Sequence, residues 1–226
     1  MTTATLSASA ATNAARRGNA AGRIALIIGA WLAFALFAFV SSITPGPNNT
    51  MLLASGVNFG FVRSLPHMAG VTVGFCLMIL LMGLGLGSVF VRFPVLYTVL
   101  RYVGGTYMLY LAWKIFRSQP ASSTDNNTTA AQPMGFTAAA AFQWVNPKAW
   151  VMALGSVTTY LPAQHTPWQL LALVGLMGVI NMPTTSTWAL FGSRLRRYLQ
   201  EPVFLRIFNT LAALALVASL YPLLIH

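Results

Sequence analysis

Two short polar segments interrupt otherwise apolar stretches of this chain: Thr44-Pro45-Gly46-Pro47-Asn48-Asn49, directly after the run Ile24 to Ile43, and Val145-Asn146-Pro147-Lys148. Proline and glycine at these positions cannot continue a regular helix, so each segment exposes peptide groups that need partners. The amides after Pro47 and Pro147 would open half-helices and present partial positive charge, suited to a carboxylate, and Lys148 would strengthen that field. The carbonyls freed before Pro45 and Pro147, with Asn48, Asn49 and Asn146, could receive an ammonium group without a full negative charge. Together the two segments match a zwitterion. The plainer reading is that the prolines kink tightly packed helices, the asparagines cap them and Lys148 snorkels to a headgroup. A third polar stretch, Asn181 to Ser186, interrupts another apolar run at Pro183; Asn181 and Thr184 either line the same cavity or satisfy backbone freed by the proline.

Other chemistries lack their residues. The only acids are Asp125 and Glu201, both in expected connections, which argues against a carboxylate proton relay and an intramembrane aspartyl protease. The single cysteine, Cys76, cannot form an intramolecular dithiol and reads as core. His67, His165 and His226 are too dispersed for a metal site. No nucleophile or cofactor motif stands out, so an enzyme is not expected, and no Gly-x-x-x-x-Gly-Lys-Ser/Thr loop is present. A coupled proton would have to ride on Lys148, on His67 or on a substrate. His67 itself reads as a solvated interfacial histidine or as a proton-sensitive gate.

The elements that must position these residues follow from composition. With 226 residues, 57% hydrophobic and 7% charged, and a mean hydropathy of +0.69, the chain has too little polar surface for a soluble globule. Six stretches approach the ~20 residues of a membrane span: 24–43, 68–91, 95–113, 136–160, 167–191 and 203–225. The expectation is an all-α membrane protein of six transmembrane helices, with Gly70/Gly74, Gly83/Gly87 and Gly104-Gly105 as close-packing points. Residues 1–23 read as a disordered tail rather than a signal peptide, and 118–135 as a polar connecting loop between 24–117 and 136–226.

The net charge of +11 is spread over the connections and lacks the dense patch that nucleic-acid binding needs. Arg63, Lys114, Arg117 and the Arg194-Arg196-Arg197 cluster favour a cytoplasmic placement of alternate connections, with both termini outside, whereas Arg16, Arg17 and Arg23 argue the reverse.

The two blocks of three spans resemble each other weakly. Setting Pro47 on Pro147 also brings Ser55-Gly56 onto Gly155-Ser156, and each block opens with a proline-broken span. A three-helix unit leaves the membrane on the side opposite to its entry. Its repeat therefore has inverted topology, an organisation that places a binding site at the midplane between the breaks.

The ordered motifs Thr44 to Asn49, Ser55-Gly56-Val57-Asn58-Phe59-Gly60-Phe61, Gly70 to Phe75, Tyr110 to Ile115 and Phe142 to Lys148 resemble the LysE/RhtB family of amino-acid exporters, most closely the cysteine/O-acetylserine exporter branch. The resemblance runs from about Ile27 to the C-terminus. It implies secondary export of an amino acid or derivative across the bacterial inner (plasma) membrane, driven by the proton gradient, without a cofactor. It also admits a homodimer, for which no heptad in the chain argues. Family members that export basic amino acids commonly carry an acid after the second proline, where this chain has the neutral Asn48 and Asn49. A lysine or arginine side chain would find no anionic partner there, so a small neutral substrate of the cysteine/O-acetylserine, threonine/homoserine or leucine type is expected. A non-transport membrane scaffold or assembly subunit is the rival reading; it explains six packed helices but gives no reason for two proline breaks furnished with Asn and Lys.

Overall fold

In a computed structural model, the backbone is described for residues 2–118, 132–199 and 201–221, and the side chains of these from residue 22 onward except at 91, 94 and 97. Asp125, His226 and most of the expected 118–135 loop lie outside the described residues, as does the end of the expected 203–225 span.

Every regular element among the described residues is helical. The helices are α1 (Thr2–Ile43), α2 (Pro47–Phe59), α3 (Leu65–Leu81), α4 (Gly87–Arg92), α5 (Pro94–Phe116), α6 (Phe136–Phe142), α7 (Pro147–Tyr160), α8 (Pro167–Leu195) and α9 (Pro202–Ala218). Prolines set many of the starts. Pro47, Pro94, Pro147, Pro167 and Pro202 each occupy the first helical position, where the missing N–H costs nothing and φ is already suitable. At α8 a capping box adds Thr166 and Gln169, each side chain accepting from the other's backbone N–H. The backbone of α1 extends back to Thr2, through the stretch expected as a tail, and alanine there favours helix. Between α3 and α4 a π-helical segment, Met82–Leu86, carries Gly85 at φ 104, a left-handed conformation that suits glycine.

Among the described residues, three helical segments are long and apolar enough to cross a membrane: Gly22–Ile43, Val62–Phe90 and Pro167–Tyr198; Pro202–Ala218 is apolar but shorter. The expected fourth span is two short helices, α6 and α7, separated by a 3₁₀ turn and Asn146. Pro183 does not interrupt α8. Thr184, Thr185 and Ser186 bond back through their hydroxyls to the carbonyls of Ile180, Asn181 and Met182, which holds the turn around the proline together.

Packing brings the breaks together. Helix α1 lies on α8 and α6 on α3; α2 lies on α8 and α7 on α3; α5 and α9 pack on each other. The α2–α8 contact is backbone against backbone, since a Cβ at Gly56 would strike the Ala189 carbonyl and one at Gly192 the Leu53 carbonyl. Gly70 and Gly74 serve the α3–α6 contact in the same way, against Phe136, Ala139 and Ala140.

The interior is unusually polar and the exterior unusually apolar. Asn49, Asn58, Gln143, Asn146, Asn181 and Asn209 are all buried, beside a core that includes Phe34, Met78, Ile79, Leu173 and Met177. Leu26, Val151, Val179 and Phe191 stand exposed. An apolar outer surface of this extent is what a bilayer covers, and the chain is a membrane protein.

Candidate functional site

The first break is built from the end of α1 and the start of α2. Thr44 N–H still bonds to Val40 O at 3.1 Å, and beyond it the carbonyls of α1 have no helical partner because Pro45 cannot donate and Gly46 turns the chain away. Side chains fill that role one by one. Thr44 Oγ1 donates to Ser41 O, Asn49 Nδ2 to Ser42 O and Thr44 O at 2.8 and 2.7 Å, and Trp188 Nε1 to Ile43 O at 3.1 Å. The last acceptors are met from the other break. Lys148 Nζ donates to Thr44 O at 2.7 Å, Thr44 Oγ1 at 2.9 Å and Pro45 O at 3.2 Å.

The second break is capped within its own segment. Asn146 Oδ1 accepts from the Lys148 N–H at 3.1 Å, and Trp150 Nε1 donates to Trp144 O at 2.8 Å. Its link to the first break is Gln143, whose Nε2 donates to Asn48 Oδ1 at 3.2 Å while its Oε1 accepts from Asn48 Nδ2 at 2.8 Å. The residue after each proline thus reaches the residues before the other: Asn48 to Gln143, Lys148 to Thr44 and Pro45.

A third strand of contacts ties in α3 and α8. Thr72 Oγ1 donates to Asn181 Oδ1 and Asn181 Nδ2 to Ser42 Oγ, both at 3.0 Å.

Between these groups lies a small void of about 20 Å³, lined by Ser42, Gly46, Asn48, Asn49, Gln143, Asn146, Lys148, Asn181 and Thr185 among others. That is room for about one water, which needs ~10–15 Å³. Donors converge on it. Pro47 and Pro147 have no N–H, and the backbone amides of Asn48, Asn49 and Ala149, all on the lining, have no hydrogen-bond partner among the described residues. These are the exposed positive ends of α2 and α7.

The residues expected at the site sort into three groups. Gly46, Asn48, Asn49, Asn146, Lys148 and Asn181 line the void; Thr44 and Pro45 sit exposed at its rim and hold Lys148; Pro47 and Pro147 open the two half-helices. Thr184 is buried in bonds to its own helix, and its neighbour Thr185 lines the void instead. The carbonyls before Pro45 are not free, as the sequence suggests, because Asn49, Trp188 and Lys148 have taken them. Gln143, Ser42, Thr72 and Trp188 are the partners that the sequence reading passes over. Gln143 had a visible signal, an amide within the apolar run Phe136 to Val145.

The profile of the family described as LysE type translocator matches residues 39–219. A protein of Klebsiella pneumoniae named "Cysteine/O-acetylserine efflux protein" is 33% identical over 169 residues, 73% of this chain and 83% of that one. Proteins of the same name are 33% identical in Salmonella typhimurium and 32% in Escherichia coli K12, each over 192 residues, 82% of this chain and 92% of the relative. No solved structure matches the chain. A profile that runs from the last turn of α1 through α9 and spans both breaks, together with relatives of this similarity over most of their length, places the chain in the LysE type translocator family.

Proposed function

We propose that this protein is a secondary transporter that exports a small neutral amino acid or derivative, of the cysteine/O-acetylserine, threonine/homoserine or leucine type, across the bacterial inner membrane at the expense of the proton gradient. The family and the names of its relatives support amino-acid export. The observation that carries the mechanism is the Lys148 ammonium held by Thr44 O, Thr44 Oγ1 and Pro45 O. A cluster of neutral oxygens that binds one primary ammonium suits another. The α-ammonium of the substrate displaces Lys148 from these oxygens, and the released lysine turns to the substrate carboxylate beside the open amides of Asn48, Asn49 and Ala149.

Two physical points fit this exchange. A void of about 20 Å³ is too small for an amino acid, so a substrate fits only as the breaks separate, and loss of the Lys148 and Asn48–Gln143 bonds is what separates them. No carboxylate among the described residues lines the void, so a substrate with a second cation would be held unpaired.

The pairing of elements supports an inverted two-repeat arrangement of six spans. Exchange of α1 with α6, α2 with α7, α3 with α8 and α5 with α9 turns the α1–α8 contact into α6–α3 and the α2–α8 contact into α7–α3, keeps α3–α8 and α5–α9, and turns the Asn48–Gln143 link into the region of the Lys148–Thr44 link. Such a relation gives alternating access a natural axis at the site.

The reading is tested with purified protein in vesicles preloaded with radiolabelled L-cysteine under reductant, O-acetylserine, threonine, leucine or arginine. A neutral substrate should leave faster than from protein-free vesicles, and faster still with an imposed proton gradient. Efflux of arginine well ahead of every neutral amino acid would sink the substrate assignment, and indifference to the gradient would remove the proposed driving force.

A further inference from the structure

A second cavity, about 200 Å³ and so ten times the void at the breaks, lies toward the other end of α2, between α3, α5 and the start of α6. Along α2 the void is lined by Asn48 and Asn49 and the larger cavity by Met51, Ala54, Ser55, Asn58 and Phe59. On the wall of the larger cavity is His67, 1% exposed, with no hydrogen-bond partner at either ring nitrogen. This is not the solvated interfacial histidine that the sequence suggests: the Pro66 turn brings it into the bundle. A buried imidazole without partners forgoes a donor and an acceptor interaction at once, a costly arrangement unless something in the cavity supplies them.

The rest of the wall says what that is. Asn58 is committed to Ala54 O and Asn209, and Ser55 to Ser64. Among the described residues, the Tyr107 and Tyr110 hydroxyls and the Lys114 ammonium make no hydrogen bond and no carboxylate stands on the wall. The unfilled groups on this wall are therefore a cation and two hydroxyl donors on α5 and an imidazole on α3 that can accept from an amine.

We propose that this cavity is a second binding site for a small amino acid, with the carboxylate taken by Lys114 and the tyrosine hydroxyls and the amine by His67. It rests on the export reading, since the ligand is of the substrate's own class and occupies the site on its way to or from the breaks. Neither site overlaps the other: no residue lines both.

The test is the stoichiometry of binding, by equilibrium dialysis of radiolabelled L-cysteine under reductant against the full chain in neutral phosphatidylcholine nanodiscs. Two sites per chain are expected. His67→Phe, which removes both ring nitrogens, should leave one, and Lys114→Gln, a change on an exposed side chain that folding should tolerate, should weaken that site about tenfold. Lys148→Met should abolish the other site alone. One site in the wild type, lost in Lys148→Met and kept in both other variants, overturns the second site and leaves the export reading standing; no saturable binding together with no efflux overturns both. Two sites in the neutral nanodiscs that become one when phosphatidylglycerol is added assign the cavity to a lipid phosphate and also overturn the proposal.

Discussion

Asn48 and Gln143 exchange two hydrogen bonds, at 2.8 and 3.2 Å, across 95 residues of chain. Each amide uses its donor and its acceptor on the other, so neither can rotate without leaving both unfilled in a half-buried setting. Gln143 has a further bond to Ala139 O, which anchors the pair to α6. The exchange therefore joins the first turn of α2 to the last turn before the second break, and it must come apart whenever a substrate separates them.

This pair should behave as a unit in a double-mutant cycle. Asn48→Ala and Gln143→Ala should each lower stability in detergent by ~1–3 kcal/mol, since each strands a polar partner, and the double variant should cost about 1 kcal/mol less than their sum. Strict additivity of the unfolding free energies would show that the two amides are not coupled.

The location of both breaks was legible in the chain because Pro45, Gly46, Pro47 and Pro147 are local offences against helix formation, which any reader of φ and N–H restrictions can find. The partners were not legible. Ser42 and Trp188 take their roles from the contact of α1 with α8, and Thr72 from that of α3 with α8, and no local rule states which of many intramembrane hydroxyls and amides will meet. Around Pro183 the sequence leaves two roles open, cavity lining or satisfaction of freed backbone; Thr184 to Ser186 spend their hydroxyls on their own helix, and Thr185 also lies on the lining. The π segment at Gly85 lies hidden among glycines, Gly83 and Gly87 included, that packing alone explains.

Lys148 carries three hydrogen bonds that no neutral side chain of its length can make. Lys148→Met keeps the bulk against Gly46 and removes the charge, which leaves Pro45 O without its donor, Thr44 O with Asn49 Nδ2 alone and the substrate carboxylate without its cation. Efflux per unit of reconstituted protein should fall at least ~10-fold, the consequence of losing one or more charged hydrogen bonds worth about 1.5–3 kcal/mol each. Lys148→Arg should recover only part, because a planar guanidinium cannot repeat the three-oxygen grip of a compact ammonium. Wild-type flux in Lys148→Met under an imposed gradient would remove this lysine from the mechanism.

The α2–α8 contact should be the least tolerant of added volume. Gly56→Ala and Gly192→Ala each place a methyl group on the opposing backbone, which cannot move aside as a side chain would, so a loss of ~1–3 kcal/mol or more is expected. Gly155→Ala is the matched control, since its new Cβ would meet only Phe37 Cζ at 3.6 Å, an ordinary contact. Thermal midpoints of the three variants in one detergent give the comparison; equal midpoints would mean that α2 and α8 do not pack backbone to backbone.

Selectivity offers the sharpest test of the neutral-substrate reading. In Asn48→Asp the side chain can still accept from Gln143 Nε2, so the inter-break link survives in part, while the void gains the anionic group that it lacks. The new carboxylate can pair with a second cation on a substrate, which removes the penalty that excludes lysine and arginine. It also competes for Lys148 and repels the substrate carboxylate, so neutral flux should fall as basic flux rises. The expected result in preloaded vesicles is a shift of the arginine-to-cysteine efflux ratio by about tenfold or more, equivalent to ~1.4 kcal/mol of discrimination. An unchanged ratio, with the variant folded and active, would mean that the side chain after Pro47 does not face the substrate, and the ammonium exchange at Thr44 and Pro45 would then need another route to its specificity.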